Sequence, residues 1–472
     1  MEENEFSEPS FGELIDLVRL YENAEKNHEP LFLDEDNYER IVRFYEENRE
    51  YNKAQRVLDR ALEQHRYSAF LHTLKAEILV KQNRLHEALY FIDEAEKLDP
   101  MDVNTQIMRA DMLLWDGQPH EALQVLQHAL QICEDDLQKS DVYLEIADVY
   151  DNMEKYDEVI EALKTSLRYD AYNEEALNRL MLNYMLSERH WESVKFHEAL
   201  LDEHPYNHVA WYNLANAYMS LKNYEKAHEA LGYAIAIAED YAPAHGLCGD
   251  LKFLMSEYAT ALEHYLDAAK YDKPYCELYY KIAECYTRLN ALGKARAYLR
   301  KAIGLDAHYH EAYYRLGELY AVEDNWTKAI SAFERALKIC PESADYNSAI
   351  GIAYLRVGEN EKAIHALETA YQLDAEDISN WINLALAYMH VNNPRKALQV
   401  MTEAEEEFPG YSEVFYLKAV FYRDIGKRRE ALVNLQKGLM LNFEMHTILY
   451  DFDEEIINDV EFTEVIQQYR IP

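Results

Sequence analysis

Glycine and proline are scarce in this 472-residue sequence, with 13 and 11 copies, so no long flexible linker is visible. Basic residues are outnumbered: 47 Lys and Arg stand against 87 Asp and Glu, a formal net charge of −40. A field of that sign repels nucleic acid and anionic membrane and attracts basic partners, or simply keeps an elongated chain soluble. No run of about 18 apolar residues occurs, so no membrane insertion is expected. The first ten residues hold neither a basic region nor an apolar core, which argues against a signal peptide. Cysteine is limited to Cys133, Cys248, Cys276, Cys285 and Cys340. Their odd number and the lack of a CxxC pair read as reduced, mostly buried thiols in a cytoplasmic protein.

Catalytic signatures are missing too. There is no glycine-rich phosphate loop, no GxSxG elbow and no HExxH. His86, His120 and His228 each begin a His-Glu-Ala-Leu string but lack a second histidine four residues on. Cys276 and Cys285 are nine apart, which is not a chelating turn of helix. No catalytic residue, metal or cofactor is therefore expected, and no segment outside the repeat is long enough for an appended enzyme domain.

What the chain does have is a period. A small residue inside an apolar stretch recurs at Ala54, Ala88, Ala122, Val159, Ser193, Ala227, Ala261, Ala295, Ala329, Ala363, Ala397 and Ala431. Every step is 34 residues except Ala122 to Val159, which is 37. Nine residues upstream lies a tyrosine column: Tyr45, Tyr150, Tyr184, Tyr218, Tyr286, Tyr320, Tyr354, Tyr388 and Tyr422, with Leu79, Leu113 and Lys252 in the other slots. Three residues before that, a second small column includes Ala76, Ala110, Ala147, Ala215, Gly249, Ala283, Gly317, Gly351, Ala385 and Ala419. Pro100, Pro205, Pro341 and Pro409 close several units.

Apolar residues at helical spacing, as in Trp211, Leu214, Ala215 and Tyr218, predict two antiparallel helices per unit. Small residues let the pair approach closely, and the tyrosine ring fills the space beside them. Each unit has an apolar face that only a neighbouring unit can bury.

WYNLANAYMSLKNYEKAHEAL (211–231) and YYRLGELYAVEDNWTKAISAFERAL (313–337) resemble the tetratricopeptide repeat family. The resemblance spans residues 35–445, about twelve units. It implies an all-α, right-handed superhelical solenoid whose first helices line a concave groove. Residues 1–34 read as an N-terminal tail and capping helix, with a capping box at Ser10 and Glu13. Residues 446–472 read as C-terminal capping helices, because Phe443 just before them and Ile448, Leu449, Tyr450, Phe452, Ile456, Ile457, Val460, Phe462, Val465, Ile466 and Tyr469 are too apolar for a loose tail; an oligomerisation or partner patch is the alternative. Lys75, Arg109 and Lys418 depart from the family pattern on the first helix, where their stems can pack while their heads reach water. The three extra residues within Cys133–Ser140 read either as a hinge or as a plain surface insertion.

The family's function implies protein binding. The position two residues before the tyrosine column faces the groove by this resemblance. It holds Glu77, Asp111, Asp148, Asn216, Asp250, Glu284 and Glu318. Six of twelve slots are acidic, where 87 acids in 472 residues would place about two. Such a column would draw a basic segment. The competing reading pairs these acids with Lys or Arg of neighbouring units, with Lys281 and Arg315 as candidates. Tyr212, Tyr280, Tyr314 and Tyr416 occupy another groove position, suited to peptide recognition or to packing. Asn213 and Asn216 resemble fragments of the family's clamp for C-terminal carboxylates, but the Lys and Arg of that clamp are missing two units on. The function expected is a cytoplasmic scaffold or adaptor for basic protein segments, with self-association into a larger assembly as the alternative.

Overall fold

The computed structural model describes residues 11–27, 29–452 and 454–470. It holds 27 α-helices, two 3-10 turns and no strand among the described residues. The chain forms two compact units, one ending at Ala244 and the next beginning at His245. From Glu35 to Leu441, first helices of mostly 13 residues alternate with second helices of 14.

Polar caps start the helices. Asp34, Ser68, Asp102, Asn173, Asn207 and Ser343 each accept a backbone N–H at the start of a first helix. Asn223, Asn325 and Asn393 do the same for second helices, which explains the asparagine that opens the NYEKA, NWTKA and NPRKA strings. A backbone motif closes each first helix. One residue per turn adopts a left-handed conformation, at Arg49, Asn83, Gly117, Glu154, Glu188, Lys222, Ser256, Asn290, Asp324, Gly358, Asn392 and Gly426. The next residue's N–H then reaches back to the carbonyl of the tyrosine-column residue, as in Asn325 to Tyr320 and Glu359 to Tyr354. This is the Schellman arrangement, and it satisfies a carbonyl the ending helix would leave open.

All twelve residues of the small column are buried, none more than 3% exposed. The tyrosines beside them are pinned from both sides. Tyr218 and Tyr354 donate to Glu198 and Glu334, each twenty residues upstream. A lysine eight residues downstream lies over the ring at Tyr218, Tyr286, Tyr320, Tyr354 and Tyr388, with Nζ 4.9–5.6 Å from the centroid.

The extra three residues lengthen a helix instead of a connection. The first helix Asp136–Asn152 has 17 residues and simply starts one turn early. Ser140, at the position where an ordinary first helix begins, is buried, shares a hydrogen bond with Ser166 at 2.8 Å and accepts one from Asn173. Lys75 and Lys418 are also more enclosed than stems with solvated heads would be, at 8% and 4% exposed. Their ammonium groups end on Asp59 and Glu405 of the preceding second helix. Arg109 reaches Asp93 and Glu96 in the same way.

At the N-terminal end, the helix Phe11–Asn27 buries Val18, Tyr21 and Ala24, the first two in a cluster with Tyr38, Ile41 and Tyr45. Ser10, the proposed cap of that helix, lies outside the described residues. At the other end Leu449, Ile456, Phe462 and Ile466 are buried in one cluster with Tyr416, Leu435 and Leu439. Asp459 caps the helix Val460–Tyr469 and takes a hydrogen bond from Arg428 at 2.6 Å. All five cysteines are free thiols. Burial pushes Cys248 up to about 11 and Cys285 to about 12, so neither is a ready nucleophile.

One core position breaks the apolar rule. Four residues after the small column, the second helices place Ile92, Leu126, Leu163, Leu231, Tyr265, Leu299, Phe333 and Leu367 in their contact layer, and at the same register His197. Its Nδ1–H donates to the Ser193 carbonyl at 2.8 Å, and Nε2 has no partner. Burial lowers its pKa from 6.5 to about 4. The unfolded chain therefore binds the proton first, so stability is full above about pH 6.5 and falls as pH drops toward 4, by about 3 kcal/mol in the limit. His197→Leu should stabilise the protein and remove this acid sensitivity. Urea unfolding at about pH 7.5 and about pH 5 will show whether the gap between the two curves closes.

Candidate functional site

The first-helix face carries the predicted acidic column, and the structure pairs most of it. A simple register governs the pairs: an acid meets a cation 31 residues further on, one turn earlier in the next first helix. Asp148 meets Arg179, Asp250 meets Lys281 at 2.9 Å, and Glu284 meets Arg315 through two nitrogens. Asp250 also accepts from the Tyr265 hydroxyl at 2.7 Å. Glu318 takes another Arg315 nitrogen at 2.8 Å. The Asp250, Glu284 and Glu318 ladder is thus threaded with Lys281 and Arg315, the pairing that competed with an open acidic surface. Hydrogen bonds to Glu284 and Glu318 hold the Arg315 guanidinium well above its ordinary value.

Glu77 follows a different geometry, taking Arg43 at 2.7 Å and Lys81 at 2.9 Å. Burial would raise its carboxyl, but these hydrogen bonds hold it below the usual range. Among the described residues, Asp111 alone of the six acids pairs with no cation, by this register or by the other geometry. The slot that holds Arg179, Lys281 or Arg315 in other first helices holds Glu145 opposite Asp111. Burial raises both carboxyls, and Glu145 donates a hydrogen bond to Asp111, with Asp148 close enough to add repulsion.

The aromatic positions are tied to ring neighbours. Tyr212 meets the edge of Tyr241 at 5.6 Å and Tyr280 that of Tyr309 at 5.7 Å. Tyr314 stacks on Tyr346 at 4.5 Å. All three are half-buried, leaving one flank to solvent. Two candidates are not on an accessible face. Asn213 is fully buried because it packs onto the preceding first helix, where Nδ2 donates to the Leu177 carbonyl at 3.0 Å. Tyr416 is fully buried because Gly438 leaves room for its ring, and its hydroxyl donates to the Asn442 carbonyl. Asn216 remains half-buried, its amide on the Tyr212 carbonyl.

Sequence reasoning missed an apolar component of this face. Trp115 is 61% exposed and Leu186 77%, at the same register of their first helices. Leu182, half exposed, sits in the acidic column itself. Residue type alone did not mark it, because Ile352, Leu386 and Val420 stand in the same column and Val420 is buried. Among the described residues no group of three His, Cys, Asp or Glu could hold a metal ion, and no helix is long and apolar enough to cross a membrane.

Tetratricopeptide repeat models match residues 41–103, 140–173, 185–251, 277–309, 309–376 and 354–421. The chain belongs to the tetratricopeptide repeat family. Members of that family are in general scaffolds for protein interaction. No curated protein matches the sequence. Among solved structures, the repeat protein YrrB, described as having an unusual peptide-binding site, is 22% identical with a TM-score of 0.35, covering 39% of this chain and 95% of its own. MamA is 21% identical with a TM-score of 0.33, covering 34% and 95%. The Cut9–Hcn1 hetero-tetramer of the APC/C is 14% identical with a TM-score of 0.40, covering 98% and 94%.

Proposed function

We propose that this protein is a cytoplasmic scaffold that holds a basic segment of another protein on its first-helix face. The carrying observation is electrostatic. Arg43, Lys81, Arg179, Lys281 and Arg315 on that face are each held by a carboxylate, while the whole chain carries a net charge of −40. A partner therefore meets a surface whose cations are engaged and whose residual field is negative. Half-buried Tyr212, Tyr280 and Tyr314 add rigid contact area. Glu77, Asp111, Asp148 and Asn216 in the first compact unit, and Asp250, Glu284 and Glu318 in the second, form the polar part of each unit's first-helix face. At the C-terminal end Leu449, Ile456, Phe462 and Ile466 are buried in the chain's own core, whereas Met440, Leu441, Ile457 and Val460 are exposed, and self-association through that end is the alternative reading.

The test is anisotropy titration of the full chain with a labelled Lys/Arg-rich peptide and an Asp/Glu-rich twin. The basic peptide is expected to bind and to weaken about tenfold between about 50 and about 300 mM salt. Equal binding of the acidic twin, or no binding of the basic one, removes the reading.

A further inference from the structure

One cleft on this face combines exposed leucine with unpaired acid. It lies between the turn and second-helix start at Asp151–Val159 and the next first helix, Glu174–Leu186, and encloses about 790 Å³. Leu182 and Leu186, one turn apart, line it at 50% and 77% exposure. Asp151, Glu154 and Glu158 stand exposed on its opposite wall, none in an ion pair among the described residues. Two of the three cations lining the cleft are engaged by carboxylates, Arg189 by Asp157 at 2.5 Å and Arg179 by Asp148, while exposed Lys155 lies 6.0 Å from the Tyr150 ring centroid. The cleft therefore offers two unburied leucines beside three carboxylates outside any ion pair, in excess over the single cation, Lys155, that no acid holds.

We infer that this cleft seats the apolar side chains of a basic amphipathic segment from another protein, with its Lys or Arg residues meeting Asp151, Glu154 and Glu158; the inference rests on the basic-segment reading above. Two arguments choose that occupant. The carboxylates have no internal partner, so charge complementarity asks for an external cation. The volume exceeds one side chain and suits two apolar residues spaced one helical turn apart, matching the spacing of Leu182 and Leu186. A purely polar basic tail would leave the leucines exposed, and an apolar segment without cations would leave the acids unmatched.

The experiment uses the full chain and two labelled Lys/Arg-rich peptides, one with two leucines four residues apart and one with serine in their place. The leucine peptide is expected to bind at least about tenfold tighter. The double variant Leu182→Gln with Leu186→Gln should erase that preference while leaving the serine peptide unchanged. The triple variant Asp151→Asn, Glu154→Gln and Glu158→Gln should weaken both peptides and flatten their salt dependence. All five side chains are exposed, so circular dichroism should show unchanged helix content. If the leucine preference survives the double variant, the cleft is not the seat, although the basic-segment reading stands. If neither peptide binds the unmodified chain, both readings fall. If the leucine variant instead converts a dimer to a monomer in light scattering, the occupant is a second copy and the inference is overturned.

Discussion

Gly317→Ala is expected to destabilise the protein, although an exposed helix would gain about 1 kcal/mol from the same change. Gly317 sits inside the helix His310–Val322, and a Cβ built there would lie 2.4 Å from the Phe333 ring. Phe333 is 2% exposed and packed in the core cluster with Leu316, Leu319 and Tyr320, so it has little room to yield. Overpacking of this kind costs about 1–3 kcal/mol, which outweighs the propensity gain, and Gly317→Val should cost more, roughly 3 kcal/mol or above. The repeat itself suggests the remedy. Both aromatic residues at this slot, Tyr265 and Phe333, face glycine, at Gly249 and Gly317. In the same register Leu299 and Leu435 go with Ala283 and Ala419, although Leu367 goes with Gly351. Adding Phe333→Leu to Gly317→Ala should therefore recover stability, with a coupling of at least about 1 kcal/mol in a double-mutant cycle by urea unfolding. A stabilising Gly317→Ala would show that the close approach does not constrain this helix pair.

The contrast between what was legible in the sequence and what was not has a physical basis. Residues that meet the same neighbours in every unit repeat in type, so the small columns and the tyrosine column could be read directly. The lysine eight residues after Tyr45, Tyr218, Tyr286, Tyr320, Tyr354 and Tyr388 also recurs but was hidden, because one more charged residue near a helix start looks like solvated surface. The left-handed turn residues were illegible for a different reason. Their Schellman bond joins backbone groups, so Arg49, Glu154, Lys222 and Asp324 can all serve and no common side chain marks the site. The acidic column was visible as composition, whereas its neutralisation depended on the three-dimensional register of 31 residues. Asn213 shows the remaining gap: its position resembled an exposed family residue, but the packing of its helix turned it onto Leu177. The added turn at Asp136 could not be told from a loop, since acidic and polar residues suit either.

Glu145→Arg should stabilise the protein at neutral pH and remove a pH dependence local to one joint. Glu145 and Asp111 face each other on the helices Val103–Trp115 and Asp136–Asn152, in the slot where Asp148, Asp250 and Glu284 meet Arg179, Lys281 and Arg315. The groups around them are Asp148, its partner Arg179, and across the adjoining cleft Glu77 with Lys81. Arg179 lowers the Glu145 pKa, but burial and the two aspartates dominate and hold it well above the carboxylate range. The folded state thus keeps a proton that the unfolded chain releases near 4.5. That contribution to stability is full below about pH 4.5 and is lost as pH rises through the higher folded value, which sets two carboxylates against each other. An arginine in this slot would meet Asp111 as Arg179 meets Asp148, and Glu145→Gln would keep the hydrogen bond without the titration. The expected gain is on the order of 1–3 kcal/mol at about pH 8, larger for arginine, and small at about pH 5. Hydrogen exchange of the amides in Val103–Trp115 and Asp136–Asn152 localises the effect to this joint. Protection that is equal at both pH values in the unmodified chain would refute it, because the shared proton would then have no part in holding these helices together.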